Sequence, residues 1–162
     1  MRIYLDGCDG SGKSTLAKYL SKRFGLDIFC LTKDSEKSMK RYLEIGLGLD
    51  DVVYDRTFFS EAIYPLVFDR DLWLDSDDIE ELLDLYNCGD RIIVICTTHD
   101  YIIRDRLRQR GDEFGEVIDN LSLINKKYRE IADRYNLMLV DTYEQTLEEI
   151  GDQIERRIKW SI

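Results

Sequence analysis

Gly7-Cys8-Asp9-Gly10-Ser11-Gly12-Lys13-Ser14 matches the pattern G-x-x-x-x-G-K-[ST] at every fixed position. Each of those positions has a physical task. The glycines let the backbone curl without Cβ clashes, so successive N–H groups turn inward toward anionic oxygens. Lys13 has the reach to meet the β- and γ-phosphates of a nucleoside triphosphate, and the Ser14 hydroxyl is a Mg²⁺ ligand in this pattern. The flanks agree. Ile3-Tyr4-Leu5 reads as a short strand just before the loop, and Leu16, Ala17, Tyr19, Leu20 and Phe24 recur at helical spacing just after it. A helix starting there turns its positive end toward bound phosphates. The expected phosphate-binding set is Gly7, Asp9, Gly10, Ser11, Gly12, Lys13, Ser14 and Thr15, with ATP and Mg²⁺ as the ligands.

Short apolar runs recur beyond the loop, at 2–6, 27–32, 51–55, 91–97 and 137–141, several ending in Asp or Thr. Helical patterns lie between them. Val117, Leu121, Ile124, Tyr128, Ile131 and Tyr135 predict one helix over 116–135. Thr142-x-x-Gln145 reads as a capping box opening a last helix that carries Leu147, Ile150, Ile154 and Ile158. Ser76, with Asp77 and Asp78 behind it, predicts a helix through Tyr86. Pro65, the only proline, is expected to kink or end the helix around it. Alternating strands and helices predict an α/β fold with a parallel sheet of about five strands, covered on both faces. Ligands then bind beyond the carboxyl ends of the strands.

With 162 residues, a single domain over 1–162 has room for a substantial core. The net charge of −10 argues against gripping a polymeric nucleic acid, which takes many Lys and Arg contacts. No apolar run is long enough to span a membrane, and the start of the chain has no signal-peptide pattern, so a cytoplasmic location without a leader is expected. The four cysteines form no C-x-x-C pair, which argues against zinc or disulfides. Cys30 and Cys96 fall in strand-like runs and are expected to be buried. His99, the only histidine, reads as a surface loop residue.

Two further groups of residues carry chemistry. Asp55-Arg56 ends the third apolar run; such an acid holds Mg²⁺ through water, and the adjacent arginine clamps a second phosphate group. Arg104, Arg106, Arg108 and Arg110 precede Gly111-Asp112-Glu113-Phe114-Gly115. Their alternating spacing lets at most two share a helix face. A hinged, arginine-bearing lid near 104–116 would exclude water and stabilise the charge of a transferring phosphoryl group.

Gly7 to Thr15, then Asp55-Arg56-x-x-x-Ser60-x-x-x-Tyr64, then an arginine-rich segment before a long helix, resemble thymidylate kinase and, more broadly, the P-loop nucleoside and nucleotide kinases. The resemblance covers nearly the whole chain in order. It implies a three-layer P-loop kinase fold. It also implies an acceptor site drawing on Asp9, Arg56, Ser60, Tyr64 and Arg70, metal ligation by Ser14 and Asp55, and catalysis by Lys13 with Arg106, Arg108 or Arg110. The lid arginines enter because Gly10 and Ser11 leave the P-loop without an arginine. Residues 33–50 are shorter than in typical thymidylate kinases and lack an Arg-Glu-Pro-Gly-Gly segment. Pro65 stands where glutamine is usual.

The expected reaction is transfer of the γ-phosphoryl of Mg-ATP to a deoxynucleoside monophosphate such as dTMP. The alternative is a deoxynucleoside kinase acting on a 5′-hydroxyl, with Asp34, Glu36 or Asp55 as general base. A polynucleotide 5′-kinase and a nucleotide-binding switch are the remaining readings. The partners expected are ATP and a small acceptor, with homodimerisation open.

Overall fold

The computed structural model describes residues 1–32, 35–111 and 115–159. Five parallel strands form one sheet: β1 (Arg2–Asp6), β2 (Asp27–Cys30), β3 (Val52–Asp55), β4 (Arg91–Thr97) and β5 (Met138–Asp141), in the order β2-β3-β1-β4-β5. Around it lie α1 (Lys13–Phe24), α2 (Met39–Leu47), α3 (Phe59–Val67), α4 (Ser76–Tyr86), α5 (Asp100–Arg110), α6 (Gly115–Asp119), α7 (Leu121–Arg134) and α8 (Leu147–Lys159).

The pleat divides the strand residues between two apolar layers. Ile3 and Leu5 of β1, Val53 of β3 and Ile92, Val94 and Cys96 of β4 pack with α1 and α8. Tyr4, Tyr54, Ile93 and Ile95 face the other way, onto α2, α3, α4 and α7. Both faces are thus covered, as a parallel sheet requires. From β1 the chain crosses to β2 on one side; from β3 it crosses to β4 on the other. Neighbouring strands whose connections part in this way leave a crevice beyond their carboxyl ends. Asp6 and Asp55 end the two strands that flank it.

Several local expectations change. Cys30 is exposed, because β2 is an edge strand whose four residues all face solvent. Cys96, on an inner strand, is buried. The helix expected over 116–135 breaks into α6 and α7 at Asn120. Its side-chain amide donates to the Glu116 carbonyl at 3.0 Å, a local bond that competes with the helical ladder. The helix over 39–47 had no counterpart in the sequence reading.

The capping box lies at Thr146 and Glu149, not at Thr142 and Gln145. Thr146 Oγ1 accepts from the Glu149 N–H at 3.2 Å, and the Glu149 carboxylate accepts from the Thr146 N–H at 2.7 Å. Helix α4 does start at Ser76, capped by Asp75 with Asp78 in reciprocal bonds. Pro65 lies inside α3, which ends two residues later. His99 is exposed in the turn after β4, 3.3 Å from Glu144.

Candidate active site

The P-loop joins β1 to α1 and is tightly wound. Gly7, Gly10 and Gly12 all have positive φ, at 145°, 77° and 92°. At Gly7 a Cβ would lie 2.2 Å from the Cys96 carbonyl oxygen, so no side chain fits between the loop and β4. Lys13 folds back over the loop and donates to the carbonyls of Gly7 and Cys8 at 2.8 and 2.7 Å. Cys8 is buried beside it. Burial pushes its thiol up to about 12, so it stays protonated and is no nucleophile.

Asp6, which the sequence reading did not single out, anchors this end of the sheet. Its buried carboxylate accepts from the Gly7, Thr57 and Ser60 N–H groups and from the Thr57, Ser60 and Tyr128 hydroxyls, at 2.6–3.2 Å. A buried carboxylate is tolerated when its oxygens are this well paired. It ties the P-loop, the turn after β3 and α7 to one point. An acid closing an apolar strand was the available signal, but it reads equally as a surface residue.

Ser14 donates to Asp55 Oδ2 at 2.5 Å. A hydroxyl and a carboxylate meeting at the mouth of the P-loop are hard oxygen donors of the kind Mg²⁺ takes, with water and phosphate filling its other positions. Among the described residues no group of three or more His, Cys, Asp or Glu gathers as a metal site. Mg²⁺ needs no such cage, so Ser14 and Asp55 suit it as ligands.

Arg56 has φ of 84°, rare for a residue with a side chain and common where function over-determines the backbone. Its guanidinium pairs with the Asp9 carboxylate and donates to Ser60 Oγ at 3.3 Å. Tyr64 closes the group: its hydroxyl donates to Asp9 Oδ2 at 2.7 Å and accepts from the Asp9 N–H at 3.1 Å. Burial works against the Asp9 charge, but Arg56, Lys13 and the Tyr64 bond outweigh it and hold the carboxyl below its ordinary range. Burial, reinforced by the Asp9 charge, raises Tyr64, so its hydroxyl keeps its proton. Ser60 is buried and bonded to Asp6 and Tyr128 as well as to Arg56.

A cleft of about 750 Å³ opens over the P-loop, lined by Lys13, Ser14, Thr15 and Asp55 and by Arg106 and Arg110 of α5. A second, of about 530 Å³, is lined by Tyr42, Ser60, Tyr64, Phe68 and Arg70. Asp9 and Arg56 line both. Arg70 is exposed and pairs with Glu116 at 3.3 Å.

The arginine segment is helical through Arg110, with Ile103 and Leu107 of α5 fully buried against the P-loop side. An arginine-bearing lid here would move as a helix rather than as a loop. Arg108 is exposed and lines neither cleft. Asp112, Glu113 and Phe114 of the expected lid, and Asp34 of the expected base set, lie outside the described residues.

No family model matches the chain. It is 27% identical over 159 residues to a Methanocaldococcus jannaschii protein named "Putative adenylate kinase", covering 98% of this chain and 86% of that one. A "Probable thymidylate kinase" of the same organism is 24% identical over 184 residues, covering 95% and 93%. Among solved structures, the Bacillus subtilis YorR protein, in complex with phosphorylated GDP, matches with a TM-score of 0.76 at 27% identity, covering 98% of this chain and 96% of that one. The chain has the fold of the P-loop kinases. Its relatives are named phosphotransferases, and they support a P-loop kinase that works on nucleotides or nucleosides. No helix among the described residues is long and apolar enough to cross a membrane.

Proposed function

We propose that this P-loop kinase transfers the γ-phosphoryl group of Mg-ATP to a deoxynucleoside monophosphate, with a pyrimidine such as dTMP as the first candidate. The observation that carries this reading is the place of Arg56, on the wall shared by the two clefts. A guanidinium there has a donor phosphate on one side and an acceptor phosphate on the other. Phosphoryl transfer needs that arrangement because its catalysis is mostly positioning and charge stabilisation.

In this reading the first cleft holds ATP. The loop N–H groups and Lys13 bind its phosphates, and Arg106 and Arg110 approach from α5. Ser14 and Asp55 would hold Mg²⁺, which would supply positive charge against the phosphate oxygens. The second cleft takes the acceptor, its base among Tyr42, Tyr64 and Phe68 and its phosphate toward Arg56. Asp9 releases Arg56 as the acceptor phosphate arrives.

One observation favours a deoxynucleoside as acceptor instead. Among the described residues, three cations line the second cleft, and each is paired with a carboxylate: Arg56 with Asp9, Lys37 with Glu61 at 3.0 Å, and Arg70 with Glu116. A balanced cleft suits a neutral sugar hydroxyl.

Purified protein incubated with Mg-ATP and a panel of nucleosides and monophosphates decides between them. Diphosphate products support the first reading, and monophosphates formed only from nucleosides support the second. No transfer to any member of the panel would overturn both.

A further inference from the structure

Thr142 follows β5 and caps no helix, although its spacing to Gln145 suggests a cap. Its backbone N–H donates to the Thr97 carbonyl at 3.0 Å, extending the β4–β5 ladder by one residue. That leaves the side chain facing the P-loop. Its hydroxyl donates to the Ser11 carbonyl at 2.6 Å and accepts from Arg106 Nη1 at 3.1 Å. The same Arg106 nitrogen donates to the Gly10 carbonyl at 3.1 Å, and Nη2 to the Thr142 carbonyl at 3.4 Å. A Cβ on Gly12 would come within 2.8 Å of Thr142 Oγ1, so the hydroxyl sits directly over that glycine.

We propose that Thr142 and Arg106 form a positioning brace that sets the P-loop for its phosphates. In a trans peptide the C=O and the following N–H point in opposite directions. Holding the Ser11 carbonyl on the Thr142 side therefore aims the Gly12 N–H the other way, and holding the Gly10 carbonyl fixes the preceding peptide. Through this brace the loop after β5 and helix α5 set the shape of a loop more than 90 residues earlier in sequence. Thr142 acts through the loop backbone and is a positioning residue. The single hydroxyl has one donor and two acceptor sites, and here it serves as donor and acceptor at once. Valine has the same shape but neither function. Serine keeps both.

The proposal rests on reading the first cleft as the donor site, and Mg-ATP binding measured calorimetrically without any acceptor tests the two ideas separately. Thr142→Val should weaken Mg-ATP binding about tenfold, the effect of leaving a part-buried carbonyl and guanidinium short of a partner. Thr142→Ser should stay within about threefold of wild type. The acceptor KM should change little in either variant. Combining Thr142→Val with Arg106→Lys should cost less than the sum of the single changes, since both break one unit. Thermal unfolding of each variant separates this from a structural role, which would lower the melting temperature without a selective loss of ATP. Wild-type protein that binds no Mg-ATP would overturn the donor-site reading and the brace together. Wild-type binding with Thr142→Val unchanged, or with donor and acceptor affinity lost equally, would overturn the brace alone.

Discussion

The guanidinium of Arg56 lies against the carboxylate of Asp9, so the arginine after the third strand and the acid inside the P-loop, 47 positions apart, form one ion pair between the two clefts. Tyr64 holds the other carboxylate oxygen. The pair keeps two opposite charges together on the wall that the two clefts share.

Arg56→Ala should therefore weaken acceptor binding about thirtyfold or more, roughly 2 kcal/mol upward, and ATP binding much less. Separate titrations with each ligand measure the difference. An equal loss for both would contradict the acceptor role.

The Asp9 pair also sets a dependence on pH. The Asp9 carboxyl is depressed in the folded protein, so its contribution to stability is complete above the unfolded value of about 3.9 and fades as pH falls through the lower folded value. Urea unfolding of wild type and Asp9→Asn from pH 7 downward should show a constant stability gap to about pH 5 and a closing gap in more acid solution. A gap that widens with acid would reverse the sign of the coupling.

Lys13→Ala should cut turnover ~10²-fold or more while the sheet remains folded. Among the described residues the Lys13 ammonium bonds to atoms of its own loop, at Gly7, Cys8 and Ser11, so its loss should leave the core intact. Single-turnover kinetics with circular dichroism as the folding control is the measurement. A folded variant with near wild-type turnover would remove the P-loop from the donor site.

The α5 arginines should behave unequally. Arg110→Ala should lower turnover by ~10³-fold with little change in ATP affinity, as expected for charge stabilisation during transfer. Arg106→Ala should lose ATP affinity as well, because that side chain also holds the Gly10 carbonyl. Arg108→Ala should stay within about threefold, below what a transition-state arginine contributes. Steady-state kinetics on the three variants tests the order, and an Arg108 loss matching that of Arg110 would refute it.

Thr146→Ala should cost about 1 kcal/mol of stability, the usual worth of a threonine N-cap. Measured by urea unfolding at neutral pH, that loss should appear with ATP binding unchanged. Loss of ATP affinity in this variant would show that the loop after β5 is set from the α8 end rather than by Thr142.

The sequence by itself determined the architecture and the place of the P-loop between β1 and α1. An eight-residue loop with fixed glycines, one lysine and one serine has few conformations in which its N–H groups converge. Short apolar runs alternating with helical patterns leave few arrangements besides a covered parallel sheet. Local rules were enough there, since each depends on residues within a few positions of one another. Tertiary structure decided what depends on distant neighbours. Cys30 is exposed because β2 became an edge, and strand order is not written in β2 itself. Asp6 became a buried anchor only because Thr57, Ser60 and Tyr128 meet it from other elements. Thr142 and Thr146 both begin cap-like four-residue patterns, and the difference between them arises elsewhere. Thr142 is held by Thr97, Ser11 and Arg106, so its hydroxyl is already taken by the P-loop, and the helix starts at the next threonine whose hydroxyl is still available to its backbone.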